Sequence, residues 1–248
     1  MCYYNSIQLT KKKMLELNKH KKEIAPIIKT VQSGFSYDSW PIIVADPSEG
    51  WKAELAHWEF IPWWINDGAA LLESRKKFTT LNATAEKLLE SKMYKSAAAS
   101  RRCLVLSSGF YEWRHFKPVG AKKEQAYPYH ISVQSTEAES LFYMAGIWQP
   151  WTDQSSGEML HSFAIVTTAA NLMMQQIHNT KKRMPTILSK ELAEEWISPI
   201  TQERIQSIAA YQYPSEKMMA YTIEKDFNRG AANPTEPHIY EELPSIHV

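Results

Sequence analysis

The sequence has 248 residues, 44% of them hydrophobic, and its 28 basic and 27 acidic side chains leave a formal net charge of +1. This composition excludes a disordered chain and is enough for one good core, and the near-neutral charge excludes a global attraction to polyanions. Two cysteines do not make a disulfide framework, and no apolar stretch follows residues 11–13 as in a signal peptide, so we expect a cytoplasmic protein. No apolar run approaches the about 20 residues of a membrane helix, so we expect no membrane partner. We also expect a monomer.

The first third of the chain alternates between helical and extended patterns. Residues 9–19 are lysine-rich with one apolar side and predict a helix, and residues 41–44 predict a strand. A proline within residues 58–64 marks an extended or loop segment. Residues 85–94 carry a helical apolar stripe, and Asn82 just before them has a simple interpretation as a cap or turn residue.

The central stretch, residues 101–114, predicts two short strands joined as a hairpin at a Ser-Ser-Gly turn. Its second strand holds one carboxylate, Glu112, among aromatic residues. Because an unpaired buried carboxylate is costly, Glu112 is either a paired structural residue or a residue used in chemistry. The stretch alone leaves both alternatives open.

The second half predicts a mainly antiparallel sheet with short helices. The expected elements are, in order, strands at 127–134, 141–148 and 162–168, a helix at 169–177, a short strand-like segment at 184–188, helices at 191–197 and 202–210, and a strand at 218–223. Ser189 is the expected N-cap of the helix at 191–197. No repeat or linker is present, which predicts a single α+β domain over residues 1–227 and a C-terminal tail over residues 228–248.

Motifs of several enzyme classes are missing. The sequence has no glycine-rich phosphate loop, no paired-cysteine zinc motif and no Gly-x-Ser-x-Gly, and its eight histidines are scattered. We therefore expect no metal. Cys103 lies in an apolar strand and is interpreted as a small buried filler.

Cys2 has a different chemical context. Cysteine is small enough to allow removal of Met1, which would give Cys2 an α-amine of pKa about 7.7–8.0 beside a thiol of pKa about 8.5. Such an aminothiol suits an aldehyde, because the amine forms a Schiff base and the thiol closes on the same carbon to give a thiazolidine. The alternative is a cysteine without function in a frayed terminus.

Short motifs follow one another over most of the chain. They are Met1-Cys2, Trp58-Glu59-Phe60-Ile61-Pro62-Trp63-Trp64, Asn82-Ala83-Thr84-Ala85-Glu86, Arg101-Arg102-Cys103-Leu104 through Gly109-Phe110-Tyr111-Glu112-Trp113, Ala145-Gly146-Ile147-Trp148, Phe163-Ala164-Ile165-Val166-Thr167-Thr168-Ala169-Ala170-Asn171, and His178 with Arg183-Met184-Pro185. In this order the chain resembles the SOS response-associated peptidase (SRAP) family, whose members cross-link to abasic sites in single-stranded DNA. The Gly-Phe-Tyr-Glu-Trp segment is the most specific piece.

The resemblance implies roles for four residues. Cys2 is similar to the family's N-terminal nucleophile, which attacks the ring-opened sugar aldehyde. Asn82 resembles the asparagine that positions the cross-link, Glu112 the catalytic glutamate, and His178 the histidine that acts on the ring oxygen. The resemblance also implies self-removal of the leading residue, a β-barrel-like antiparallel core with flanking helices, no cofactor, and a DNA-damage role at the nucleoid.

Three departures from the usual family pattern concern DNA contacts. Tyr3-Tyr4 stands where the family commonly has Gly-Arg, Thr84 replaces an arginine, and four residues rather than one separate His178 from Arg183. Two phosphate-binding arginines are therefore missing. The basic run at 181–183 is expected to restore their charge from a different side.

Candidate DNA contacts combine aromatic stacking with positive charge. A tryptophan stacks on any base for ~1–3 kcal/mol, and lysine or arginine meets the phosphates. The candidates are Trp63, Trp64, Arg101, Arg102, Thr167, Lys181, Lys182 and Arg183. A basic pair is also compatible with a plain solvated surface, the interpretation we favour for residues 122–123. With a net charge of +1 we expect modest affinity that falls steeply with salt.

Three functions are compatible with these residues. The first is an abasic-site cross-linker that acts through Cys2. The second is a cysteine peptidase or amidohydrolase that uses Cys2, Glu112 and His178 on other substrates. The third is a non-catalytic single-stranded DNA-binding protein. We rank them in that order.

Overall fold

The computed structural model describes residues 2–10, 27–48, 50–135, 141–230 and 233–247. Over these ranges the strands are β1 (Tyr4–Leu9), β2 (Ile27–Ser33), β3 (Ser39–Asp46), β4 (Gly50–Trp58), β5 (Asn82–Thr84), β6 (Arg102–Ser107), β7 (Gly109–Phe116), β8 (Gln125–Val133), β9 (Phe142–Thr152), β10 (Met159–Ala169), β11 (Arg183–Pro185), β12 (Ile187–Leu188) and β13 (Met218–Thr222). The α-helices are α1 (Gly68–Arg75), α2 (Lys95–Ser100), α3 (Leu172–Ile177), α4 (Lys190–Trp196) and α5 (Gln202–Ala209).

Two sheets make up the body of the protein. The first is five-stranded and antiparallel, in the order β13-β8-β7-β1-β2. The second is eight-stranded, and within it β10, β4, β3, β6 and β9 form a closed barrel because β9 also pairs with β10. Among the described strands, only β4 and β5 pair with β10 in parallel. The predicted α+β class, with a mostly antiparallel barrel-like core and flanking helices, is confirmed.

The main core lies in and around the barrel. Every residue of β6 is buried, and β3 has five consecutive buried residues from Trp40 to Val44. Continuous burial is typical of strands that are covered on both faces. Trp196 of α4 packs across two barrel strands, where its indole Nε1 donates to the carbonyls of Cys103 and Gly146, each at 3.1 Å. This contact fixes α4 over β6 and β9.

The predicted hairpin at residues 101–114 is wrong in its pairing, although both strands exist. β6 belongs to the barrel, whereas β7 belongs to the five-stranded sheet between β1 and β8. At the crossing, Ser107 Oγ donates to Asn5 Oδ1 at 2.6 Å, and Ser108 N donates to Ser6 O at 2.9 Å. Strand β1 thus takes the place beside β7 that the hairpin prediction gives to β6.

Glycine is required where the chain enters β7. A Cβ atom on Gly109 would lie 2.2 Å from His130 Nε2 of the neighbouring strand β8, and 3.0 Å from Ser6 Oγ. Real Cβ atoms do not approach this closely, so the crossing admits no side chain at this position.

One predicted helix is wrong and another falls partly outside the structure. Residues 85–94 form a 3-10 turn at Ala85–Lys87 followed by further turns, and the α-helix begins only at Lys95. The chain enters this region as a strand, because β5 is paired with β10, and it must turn sharply afterwards. Of the helix expected at 9–19, Leu9 ends β1, and residues 11–19 lie outside the described residues.

The remaining elements agree with their patterns to within a few residues. Helix α4 begins after Ser189, whose side chain accepts a hydrogen bond from Leu192 N, so the predicted N-cap is confirmed. Helix α5 and strand β13 lie where apolar periodicity predicts them. In the ranges that the structure describes, no helix has the length and apolarity needed to cross a bilayer.

Residues 233–247 lie against β8, β13 and α3. Thr222 Oγ1 donates to His238 O, and Tyr127 of β8 donates to Glu242 at 3.0 Å. Near its end, the segment bonds to α3 through Gln176, which both donates to His247 O and accepts from His247 N. The segment is thus attached along its length by hydrogen bonds that involve side chains of β8, β13 and α3.

Candidate active site

Cys2 lies at the start of β1, fully buried with an exposed fraction of 0%. The register Tyr4↔Tyr111 between β1 and β7 carries residue 2 alongside the part of β7 that holds Glu112. Burial, together with the negative charge of Glu112, raises the pKa of the Cys2 thiol well above its usual range. The sulfur is therefore a thiol rather than a thiolate near neutral pH.

Asn82 reaches Cys2 from the barrel side of the site. Strand β5 is held on β10 by its parallel pairing, and the preceding Leu81 carbonyl accepts hydrogen bonds from Trp58 Nε1 at 3.2 Å and Ile165 N at 3.1 Å. In this position Asn82 Nδ2 donates to the Cys2 carbonyl at 3.0 Å. Its buried Oδ1 has no hydrogen-bond partner among the described residues. Such an orphaned acceptor is costly unless a ligand satisfies it.

Glu112 is buried in the middle of the five-stranded sheet. Burial raises the pKa of its carboxyl group to about 7, and the positive charge of Lys181 acts in the opposite direction. The group is therefore balanced between its acid and base forms near neutral pH, the condition under which a carboxyl group best carries protons.

His178 follows directly after α3 and faces Glu112. Its Nδ1 lies 2.8 Å from the carbonyl of Arg183, which can only accept, so the ring proton is on Nδ1 and Nε2 presents a lone pair. His178 Nε2 lies 3.8 Å from Glu112 Oε2. Burial lowers the pKa of His178 to about 4, which keeps the imidazole neutral at physiological pH.

The structure thus brings together the four residues predicted as catalytic. Cys2 and Glu112 come from the five-stranded sheet, while Asn82 and His178 come from elements attached to the barrel strand β10. Together they offer a thiol, an amide donor and acceptor, a carboxyl group with a pKa of about 7, and a neutral imidazole. The described residues contain no cluster of three or more histidine, cysteine or acidic side chains that would hold a metal ion.

The segment after His178 contains a residue that sequence reasoning missed. Asn179 Oδ1 accepts from the backbone N of His115 at 3.0 Å, and Asn179 Nδ2 donates to the His115 carbonyl at 2.7 Å. These bonds attach the segment to β7, the strand that carries Glu112. The extra length between His178 and Arg183 was the only signal in the sequence, and it does not reveal the partner.

Lys181 and Lys182 lie exposed on the same segment. Lys182 has a left-handed backbone with φ of 49°, and its N donates to His178 O at 2.8 Å, which closes the segment into a turn. The charge of Lys181 influences the pKa values of both Glu112 and His178. Positive charge is therefore present at the mouth of the site.

Arg183 and Thr167 are less available than the lysines. The Arg183 guanidinium donates to both carboxylate oxygens of Glu86, at 2.6 and 2.9 Å, and to the Thr167 carbonyl at 2.5 Å. Thr167 is itself fully buried. The charge of Arg183 is thus neutralised by Glu86, a residue to which the sequence analysis assigned no role.

The two tryptophans and the arginine pair have different environments. Trp63 is 72% exposed and Trp64 41%, with their rings edge to face at 5.5 Å, so both are accessible for stacking. Arg102, in contrast, is buried and donates to four backbone carbonyls, those of Trp196, Ala98, Ala99 and Ser198.

The predicted DNA contact of Arg102 does not fit this environment, because its donors are used to join the ends of α2 and α4. Arg101 is partly buried and donates to Ser96 Oγ at 3.2 Å. Since β6 and β7 do not pair as a hairpin, strand pairing does not bring this arginine pair beside Glu112.

Comparison with known proteins identifies the family of the chain. Residues 1–230 match the family model described as SOS response associated peptidase (SRAP). Abasic site processing protein YoqW of Bacillus subtilis is 30% identical over 196 residues, covering 78% of this chain and 79% of the relative, and abasic site processing protein HMCES of Xenopus tropicalis is 30% identical over 166 residues, covering 62% and 47%. A crystal structure of a Bacteroides thetaiotaomicron protein superimposes with a TM-score of 0.78 at 30% identity, covering 95% of this chain and 97% of the other. The chain belongs to the SRAP family.

Proposed function

We propose that this protein processes abasic sites in single-stranded DNA by forming a covalent thiazolidine cross-link through Cys2, after removal of Met1. The observation that carries the proposal is the bond from Asn82 to the Cys2 carbonyl beside the Glu112–His178 pair. The names of the relatives, abasic site processing proteins, support the choice of substrate.

The amine leads the reaction, because the raised pKa of the Cys2 thiol keeps the sulfur protonated. The Cys2 nitrogen attacks C1 of the ring-opened sugar, and a proton moves from the nitrogen to the former carbonyl oxygen, which gives a carbinolamine. Glu112 then donates a proton to the departing hydroxyl, which leaves as water, and the remaining C=N bond is an iminium. The thiol adds to the iminium carbon and passes its proton to Glu112. The net change is aldehyde plus aminothiol to thiazolidine plus water, with Glu112 restored.

His178 and Asn82 prepare the sugar for this chemistry. An abasic sugar is mostly a closed hemiacetal, and its opening requires a proton to leave the C1 hydroxyl and another to reach the ring oxygen. The neutral His178 Nε2 is placed to accept and return such a proton. The unpartnered Asn82 Oδ1 would accept a hydrogen bond from the Cys2 amine or from a sugar hydroxyl.

The same groups account for removal of Met1. Hydrolysis of the Met1–Cys2 peptide bond adds water to the Met1 carbonyl, and the Cys2 amine leaves with a proton. Glu112, with a pKa of about 7, is suited both to accept the proton of the water and to supply the one for the amine. Self-processing and cross-linking would therefore share one proton carrier.

DNA binding would use stacking and a small number of phosphate contacts. The exposed Trp63 and Trp64 offer stacking surfaces, and Lys181 and Lys182 offer charge at the site. For single strands the logarithm of affinity falls with the logarithm of salt by about 0.7 per phosphate contact. Two lysine contacts therefore predict a slope of about 1.4 from this segment.

The test is adduct formation. Purified protein, with loss of Met1 checked by intact mass, is incubated with a single-stranded oligonucleotide that carries one abasic site. We expect an adduct that survives denaturing electrophoresis, is lost in Cys2→Ser, and is absent with a reduced abasic analogue that has no aldehyde. Cys103→Ser is the matched control and keeps the adduct. Absence of adduct with processed wild-type protein would refute the proposal.

The raised thiol pKa also argues against the alternative of a general cysteine hydrolase, which needs a ready thiolate. Cys2-dependent hydrolysis of an unrelated peptide would support the general cysteine hydrolase instead. A purely non-catalytic DNA-binding protein would show unchanged behaviour in Glu112→Gln.

A further inference from the structure

Two aromatic side chains lie next to Cys2 and have no role in the reaction described above. Tyr3 follows Cys2 in the chain, and its ring centroid lies 4.9 Å from that of Phe35, with the planes tilted by 44°. Tyr3 is partly buried, whereas Phe35 is 48% exposed. We call this pair the aromatic shelf.

The aromatic shelf is held in place by the backbone. Phe35 is in the 3-10 turn Gly34–Ser36, and Gly34 N donates to the Tyr3 carbonyl at 2.8 Å. The Ser33 side chain caps the turn by accepting from Phe35 N at 3.2 Å. An exposed phenylalanine on a turn fixed in this way is pre-organised to receive a flat apolar group.

The same turn packs on the residues that position Asn82. A Cβ atom on Gly34 would lie 3.0 Å from Leu81 Cδ1 and 3.2 Å from the Trp58 ring, so the turn is in close contact with both. Leu81 precedes Asn82, and Trp58 bonds to the Leu81 carbonyl. The charge of Glu112, in addition to burial, raises the pKa of Tyr3, which agrees with a position beside the reaction centre.

We infer that the aromatic shelf is a stacking subsite for the nucleobase that neighbours the abasic residue in the DNA strand. This inference rests on the proposed function. An abasic residue offers no base to grip, so its sugar can be placed over Cys2 only through its neighbours. Aromatic side chains stack on any base, which suits a protein that must accept lesions in every sequence.

The location of the aromatic shelf indicates that the group it binds is a nucleobase. Tyr3 is joined to Cys2 by a peptide bond, and Phe35 packs on Tyr3, so a base on the shelf would belong to a nucleotide near the one held at Cys2. Exposed Lys181 offers charge for a phosphate near the shelf, since its charge acts on Glu112 and the charge of Glu112 acts on Tyr3. Flat apolar surface beside positive charge is the combination that binds single-stranded nucleic acid.

The test compares two oligonucleotides with one reactive abasic site each. In the first, the neighbouring nucleotides carry purines, and in the second they are reduced abasic spacers that have a sugar and no base. Cross-linking rates are measured over a range of DNA concentrations, to separate apparent affinity from the rate at saturation. The proteins are wild type, Phe35→Ala, Phe35→Trp, and a control, Trp51→Ala, which removes an exposed aromatic side chain from strand β4.

We expect Phe35→Ala to lower the apparent affinity for the purine substrate about tenfold, with little change in the rate at saturation. Phe35→Trp restores the affinity, and Trp51→Ala equals wild type. On the spacer substrate, wild type and Phe35→Ala have equal affinity. Equal losses in Phe35→Ala on both substrates, or no loss on either, would overturn the subsite and leave cross-linking intact. Absence of adduct with wild type on both substrates would instead overturn the proposed function.

Discussion

The substitution Glu112→Gln separates the catalytic value of a buried carboxyl group from its effect on stability. Burial raises the pKa of Glu112 from its ordinary 4.5 to about 7. Over this interval the folded state keeps a proton that the unfolded state has lost. The contribution of Glu112 to the free energy of unfolding is therefore complete below about pH 4.5 and decreases as the pH rises through 7.

The magnitude follows from the difference between the two pKa values. A pKa difference of one corresponds to about 1.36 kcal/mol. Between about pH 5 and about pH 8, the titration of Glu112 lowers the stability of the wild type by about 2.5 kcal/mol. Glutamine does not titrate and has nearly the same shape. We therefore expect Glu112→Gln to gain about 2.5 kcal/mol relative to wild type between these pH values, while it loses cross-linking.

The assay is urea unfolding followed by tryptophan fluorescence at about pH 5 and about pH 8, with adduct formation measured on the same preparations. Glu90→Gln, at an exposed position, is the control and changes neither quantity. If the stability difference between Glu112→Gln and wild type is the same at both pH values, the carboxyl group does not have a raised pKa. If the variant still forms the adduct at the wild-type rate, Glu112 is not the proton carrier.

Three further predictions test the surroundings of the site. Asn179→Ala breaks both bonds to the β7 backbone and should slow cross-linking about tenfold at saturating DNA, whereas Thr180→Ala on the same segment stays near wild type in single-turnover assays. Lys181→Gln removes a charge that lowers the pKa of Glu112, so the midpoint of the pH–rate profile should move to higher pH, and the salt slope of DNA binding should fall by about 0.7. Gly109→Ala forces a Cβ against His130 and should destabilise the fold by about 2 kcal/mol or more, measured by thermal unfolding. An unchanged melting temperature in Gly109→Ala, an unchanged pH midpoint in Lys181→Gln, or equal rates in Asn179→Ala and Thr180→Ala would each contradict the corresponding argument.

Local patterns were sufficient for most elements, whereas the candidate catalytic residues came from the resemblance to the SRAP family. The apolar runs of β8, β9 and β10 and the Ser189 cap depend on neighbours in sequence, and they were predicted correctly. The pairing of β7 with β1 depends on contacts such as that between Ser107 and Asn5, 102 positions apart, which periodicity does not encode.

The arginine pair at 101–102 shows the same limit for function. In sequence, Arg102 is indistinguishable from a phosphate-binding arginine. Its environment is determined by the ends of two helices, where carbonyls without intrahelical partners require donors. Asn179 shows the opposite error, because it looks like an ordinary loop residue in the sequence. In the structure it bonds to the backbone of His115, 64 positions earlier in the chain, and so holds the 178–183 segment on β7.

The origin of the four site residues in distant parts of the chain has a consequence for biosynthesis. Cys2 leaves the ribosome before the other three residues, and if its amine were free it would be exposed to every cellular aldehyde. Its acid partner emerges 110 residues later and its imidazole partner 176 residues later, and the segments that carry them must dock before any of the groups meet. In the proposed function, this arrangement would couple reactivity to folding, because the site cannot assemble before the segment that carries His178 has been made.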